Sequence, residues 1–145
     1  MRRSIRFCLT TLSLFALCAP ALAETDKEVA ARAVALELAG AFSNDGFKLR
    51  DGHWAGTLAA NESKLIAVNL YAGNEYWFSA GATEQAKKLA VEVFDEMGAA
   101  VTTQIFNSGT KAAAGFAVTN SGQYFIRVRL EEGDSAGICF LYSYR

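Results

Sequence analysis

From Ser63 to the C-terminus, apolar and polar residues alternate in short runs divided by Gly, Asn, Asp and Ser. A period of two is the signature of strands with one buried face. Lys64 to Tyr71 places Ile66, Val68 and Leu70 on one side, and Glu75 to Ala80 does the same with Tyr76, Phe78 and Ala80. Leu89, Val91 and Val93 mark Lys88 to Phe94, and Val101, Thr103 and Ile105 mark Val101 to Phe106. Ala114, Phe116 and Val118 mark Ala112 to Thr119. The clearest run is Gln123 to Leu130, where Tyr124, Ile126, Val128 and Leu130 alternate with Phe125, Arg127 and Arg129. Ile138, Phe140, Tyr142 and Tyr144 close the chain. With a weaker strand over Leu49 to Leu58, interrupted by Gly52 and Gly56, this predicts about eight strands and an all-β, antiparallel, jelly-roll-like sandwich.

Before this block the period is close to 3.6. Thr25-Asp-Lys-Glu28 fits a capping box that opens a helix, and Ser43-Asn-Asp-Gly46 supplies a stop. The apolar positions of that helix read as a stripe of Val29, Ala33 and Leu36, flanked by Ala30, Val34, Leu38, Ala41 and Phe42. The predicted organisation is therefore a leader over 1–23, a helical segment over 24–46 packed on the sandwich, and a sandwich over 47–145.

The alternation leaves Trp77, Phe94, Phe106 and Phe125 on nominally polar faces. Several exposed aromatics make a costly patch, and an amphipathic helix needs a surface to cover. The expectation is that the helix covers some of them. The rival reading is a binding surface made of Trp77, Phe94, Phe106 and Phe125, with Arg127 and Arg129 projecting beside them from one strand face. Those arginines are expected to pair across strands with residues such as Glu92. Gripping an acidic ligand is the alternative.

Arg2, Arg3 and Arg6, the apolar run Phe7 to Leu17 and Ala21-Leu-Ala23 have the three-part layout of a secretory signal peptide, with Glu24 as first mature residue. The run is too short to span a bilayer, which takes about 20 apolar residues. The expected location is periplasmic or secreted, with no membrane insertion after the leader is removed. The remaining 122 residues keep all 15 acidic but only 11 basic side chains, a formal charge of −4. That balance disfavours nucleic acid, which needs clustered cations. Cys139 alone remains after the leader, so no intramolecular disulfide can form and the fold rests on its apolar core.

Candidate chemistry is sparse. His53 is the only histidine, and its functional reading is a base oriented by Asp51. No G-x-S-x-G and no H-E-x-x-H occurs. Cys139, between Ile138 and Phe140, reads as a buried inert thiol. Asp95 with Gly98 reads as a turn in which the aspartate accepts backbone N–H groups. Neither a metal nor a cofactor is expected, and no residue is assigned to catalysis. Ser121-Gly-Gln-Tyr124 compares with the S-G-x-x-Y loop of bacterial periplasmic lysozyme inhibitors, one residue short in spacing. It reads first as the turn before a strand whose tyrosine enters the core.

Gly73 and Tyr76, then Val93, Asp95 and Gly98, then Gly122, Tyr124, Ile126 and Val128 form an ordered set over residues 63–144. In that set the chain resembles the secreted β-sandwich of the bacterial pre-peptidase C-terminal type and its short periplasmic relatives. The resemblance implies a jelly-roll-like sandwich with an accessory role and brings no catalytic residues. Short relatives also carry cysteine pairs, which residues 81–88 lack. The expected function is a non-enzymatic binding or accessory module for a protein or glycan of the cell envelope. A soluble inhibitor of an envelope hydrolase, of protease or lysozyme type, is the alternative.

Overall fold

The computed structural model describes residues 23–50 and 52–145. Thr25 caps helix α1 (Asp26–Ser43) with both halves of the capping box: its hydroxyl accepts from the Glu28 N–H, and the Glu28 carboxylate accepts from the Thr25 N–H. Two of the four unpaired N–H groups at a helix start are often met in this way. The strands are β1 (Lys48–Leu49), β2 (Trp54–Leu58), β3 (Ser63–Leu70), β4 (Glu75–Ala82), β5 (Ala86–Phe94), β6 (Gln104–Ser108), β7 (Lys111–Ala117), β8 (Gly122–Gly133) and β9 (Ala136–Tyr144).

All pairings are antiparallel. The larger sheet runs β1-β9-β4-β7-β6, with β2 continuing beyond β1 along the same edge of β9, and the smaller runs β3-β8-β5. From β2 to β5 the chain alternates between sheets, as a jelly roll does. The division is uneven because of one crossover. Ala100 bridges Phe94, and the Val101 N–H donates to the Val93 carbonyl at 2.9 Å, so the chain begins as a neighbour of β5. It then leaves the small sheet and forms a hairpin with β7 instead.

The core lies between the sheets and consists of the inward positions that alternation predicts. Ile66, Val68, Leu70, Tyr76, Phe78, Ala80, Leu89, Val91, Val93, Ala114, Phe116, Val118, Tyr124, Ile126, Val128, Leu130, Ile138, Phe140, Tyr142 and Tyr144 all pack there. Residues 101–106 follow the alternation only at Val101, which packs against the core. The strand starts only at Gln104, and Ile105, expected inside, is 67% exposed. It pairs with core residue Ala114 and so lies on the inner side of β6, the edge strand, where that side is left open to solvent.

The helix corrects a second expectation. Its buried face is Ala31, Ala35, Leu38 and Ala39, whereas Val29 and Leu36 are exposed. The reason is a very close approach to the outer face of the large sheet. A Cβ on Gly81 would stand 2.4 Å from the Ala35 nitrogen, and one on Gly137 would stand 2.6 Å from the Lys27 carbonyl oxygen. Only alanine fits where the helix almost touches backbone, at Ala31 and Ala35, so Val29 and Leu36 turn away while Leu38 stays buried. Ala31, Ala35 and Ala39 close over Cys139 and Leu141 to form a second, smaller core.

Candidate functional site

Three connections meet at one end of the sandwich: 71–74, 95–103 and 118–121. The first and third are tied to each other by backbone. The Gly73 N–H donates to the Val118 carbonyl at 3.0 Å, and the Val118 N–H donates to the Asn74 carbonyl at 2.9 Å. Ser121 Oγ accepts from the Ala72 N–H at 2.8 Å. Below them, the Tyr76 hydroxyl accepts from the Tyr71 N–H and from Asn74 Nδ2. The middle connection is held from within, because Asp95 Oδ1 accepts the N–H groups of Met97 and Ala99, both at 2.9 Å, and Gly98 takes φ +80° to close the turn. This is the turn the Asp95–Gly98 spacing predicts.

Rigid loops here hold apolar groups outward. Met97 is 86% exposed, and Tyr71 is 53% exposed on the neighbouring connection. Beside Met97, Glu96, Asn120, Ser121 and Gln123 line a cavity of about 160 Å³. Round the β6 side, Thr102, Thr103, Gln104, Phe116, Thr119 and Tyr124 line a wider groove of about 560 Å³. Tyr124 itself is buried, its hydroxyl donating to the Asn120 carbonyl at 2.8 Å. The tyrosine of Ser121-Gly-Gln-Tyr124 therefore anchors the loop, and Ser121 is the exposed part.

The six residues singled out from the sequence fall into three places. Trp77 lies under the helix, stacked on Phe42 at 4.3 Å between ring centroids and 10° between planes, and Gly115 leaves the space its ring fills. Phe106 stands alone on β6 and is half-exposed. Phe94 and Phe125 are cross-strand partners on the outer face of the small sheet. The Arg127 guanidinium sits 4.9 Å from the Phe94 ring centroid and donates to Glu92 at 2.8 Å. Arg129 donates to Glu131, which also holds Lys88. Both arginines thus spend their charge within the sheet, Arg127 across strands as expected and Arg129 along its own strand β8. The hydrogen bond from Arg127 holds the Glu92 carboxyl below its ordinary range against partial desolvation, and the Arg129 and Lys88 bonds do the same for Glu131.

His53 contacts Glu24 at 3.0 Å and Arg32 at 2.6 Å, and Arg32 also holds Glu24. The hydrogen bond with His53 is the largest of the influences that lower the Glu24 carboxyl. Asp51, the orienting partner expected from sequence, lies outside the described residues, as do residues 1–22 of the predicted leader over 1–23. The cluster straps the start of α1 to the strand edge and presents no nucleophile. Cys139 is fully buried, and desolvation pushes its thiol up to about 11. Among the described residues, no group of three or more His, Cys, Asp or Glu is placed to hold a metal ion, and no helix is long and apolar enough to cross a membrane.

No protein-family model matches the chain, and no curated protein matches it. Solved structures similar to the chain include one whose function is stated. It is Aeromonas hydrophila PliG, a periplasmic lysozyme inhibitor of g-type lysozyme, at 13% identity and a TM-score of 0.47 over 65% of this chain and 85% of that one.

Met97 escaped the sequence reading because it sits in a turn, where alternation assigns no face, and Tyr71 because alternation carries to it a strand that ends at Leu70. A sequence signal for Met97 does exist: a large apolar residue inside an Asp-x-x-Gly turn has no strand face on which to be buried.

Proposed function

We propose that this chain is an exported, non-enzymatic binding module of the bacterial envelope, which docks a macromolecular partner with its loop end. One observation carries the reading: Met97 and Tyr71 are presented to solvent by fixed connections, Tyr71 on one hydrogen-bonded to 118–121 and Met97 on a turn closed onto Asp95. Presenting anchors on a rigid frame lowers the ordering cost of association, and apolar anchors ringed by polar groups make the strongest contacts. The leader-like N-terminus supports a periplasmic or secreted location. Tyr76, Val93, Tyr124, Ile126 and Val128, which carry the resemblance to the pre-peptidase C-terminal type, are all core residues. That supports a shared architecture, with the partner chosen by the loops.

Cross-linking in an envelope extract, followed by capture, tests this. Met97→Asp should reduce capture of the partner at least tenfold, the effect of one lost hot spot, while the melting temperature stays unchanged. Capture that ignores both Met97→Asp and Tyr71→Asp overturns the docking end.

The Ser121 turn favours a more specific form, inhibition of an envelope hydrolase. It is tethered at both ends, by Ser121 Oγ to Ala72 and by the Tyr124 hydroxyl to Asn120, and its tip is exposed. A loop pre-set in this way can enter a cleft with little loss of freedom. Titrating the pure protein against muramidases and envelope proteases should abolish the activity of one of them at equimolar ratio, and a bulky Ser121→Arg should relieve it. Full activity of every enzyme at excess protein would remove the inhibitor reading and leave the binding reading to the capture experiment.

A further inference from the structure

We propose that β6 is a self-association edge, at which two copies of this chain pair antiparallel and join their large sheets into one. All five residues of β6, Gln104 to Ser108, are exposed, and among the described residues the strand is bonded on one side only, to β7. An edge strand turns alternate N–H and C=O groups outward, which makes it a template for another strand unless it is guarded by charge, bulge or interruption.

The other edges of this protein carry such guards. The β1/β2 edge is broken between Leu49 and Trp54 and bears Lys48 and Arg50. Strand β3 carries Lys64, and β5 carries Lys87, Lys88 and a register break at Lys88. Strand β6 has none of these. From Met97 to Thr110 the chain contains no charged residue and no proline, and the β6–β7 ladder runs from 104 to 108 without a shift. Ile105 and Phe106 add apolar surface on its two faces, at 67% and 41% exposure.

A second copy is the occupant that fits these facts. A two-fold axis normal to the sheet keeps inner faces with inner faces, and the register that uses all five residues is centred on Phe106. It sets Phe106 against its own image, Ile105 against Asn107 and Gln104 against Ser108. No like charges oppose each other, which matters for two copies of a chain whose formal charge is already negative. Closed two-fold pairing also uses up the edge, where a head-to-tail contact would propagate. Among the described residues α1 packs chiefly over β4 and β9, away from this edge.

Sedimentation of the purified chain should give twice the chain mass, falling to one chain on dilution. Ile105→Lys, at an exposed site, should be monomeric with the far-ultraviolet dichroism and melting temperature of the parent. Phe106→Cys provides an independent reading, because opposed residues of an antiparallel pair lie about 4.5–5.5 Å apart at Cα, within disulfide range. Under mild oxidation it should become a covalent dimer, while Leu65→Cys on β3 stays single and buried Cys139 does not compete. A parent chain that sediments as one copy at every concentration overturns the proposal. So does an Ile105→Lys variant that still pairs, or a Phe106→Cys variant that never cross-links. None of these outcomes bears on the loop end, whose capture experiment stands separately.

Discussion

Gly81 sets the distance between α1 and the sheet more tightly than any large side chain does. Its missing Cβ leaves room for the Ala35 nitrogen and the Ala31 carbonyl oxygen, both helix backbone and so unable to swing aside. Gly81→Ala should therefore cost about 3 kcal/mol, the upper end of over-packing, read as a lower denaturant midpoint. A loss below about 0.5 kcal/mol, the usual scatter of surface changes, would show that the helix rides more loosely. Glu92 makes a smaller, pH-dependent contribution. Its folded carboxyl is depressed by the Arg127 hydrogen bond, so the stabilisation is present above the unfolded carboxyl's range and is lost as pH falls through the folded value. Both side chains are more than a third exposed, which limits the pair to about 0.5 kcal/mol. Glu92→Gln should lower stability by that amount at neutral pH and leave it unchanged in strong acid, as paired urea titrations would show.

At the scale of elements, α1 shows what alternation and helical period can and cannot reveal. Its start was legible because a capping box is local chemistry. Its buried face was legible only at Leu38, because a hydrophobic stripe is read from side-chain size and the closest part of this interface selects the smallest side chains. Val29 and Leu36 look like the core face and are exposed; Ala31 and Ala35 look neutral and are fully buried. The signal was in the partner strands, where Gly81 and Gly137 interrupt mainly apolar β4 and β9. The helix is also the lid over Cys139, whose thiol is raised to about 11 by burial and has no access to solvent. Ala35→Leu inserts bulk where backbones nearly touch. It should lift the helix and make Cys139 react with an aromatic disulfide reagent at least tenfold faster than in the parent, where reaction should require global unfolding. Unchanged thiol kinetics in a folded Ala35→Leu chain would mean that the helix does not gate this site. For β6 the misreading has a different source. Val101, Thr103 and Ile105 alternate correctly, yet alternation says only which residues share a face, and whether a second sheet stands opposite that face is a property of topology.

Over the whole molecule, that topology predicts an order of stability. Strand β8 is central in the small sheet, and β4 and β9 are interior in the large one. Their inward residues Phe78, Ile126, Val128, Leu130, Ile138 and Phe140 are essentially fully buried. Strand β6 has one ladder, exposed residues throughout and the 95–103 crossover as its only lead-in. Amide groups open by local unfolding where few buried contacts resist it, and only with the whole fold where many do. In the monomeric Ile105→Lys variant, hydrogen exchange should run fastest in 99–108, and amides of β4, β8 and β9 should exchange at the global unfolding rate. The turn at Asp95–Ala99 should be slower than its exposure suggests, because Asp95 satisfies both the Met97 and Ala99 N–H groups. If β6 amides in that variant are as protected as those of β8, the uneven division of the sandwich is not what leaves this edge available. If the parent chain protects β6 and the variant does not, the difference measures how much of the edge a second copy covers.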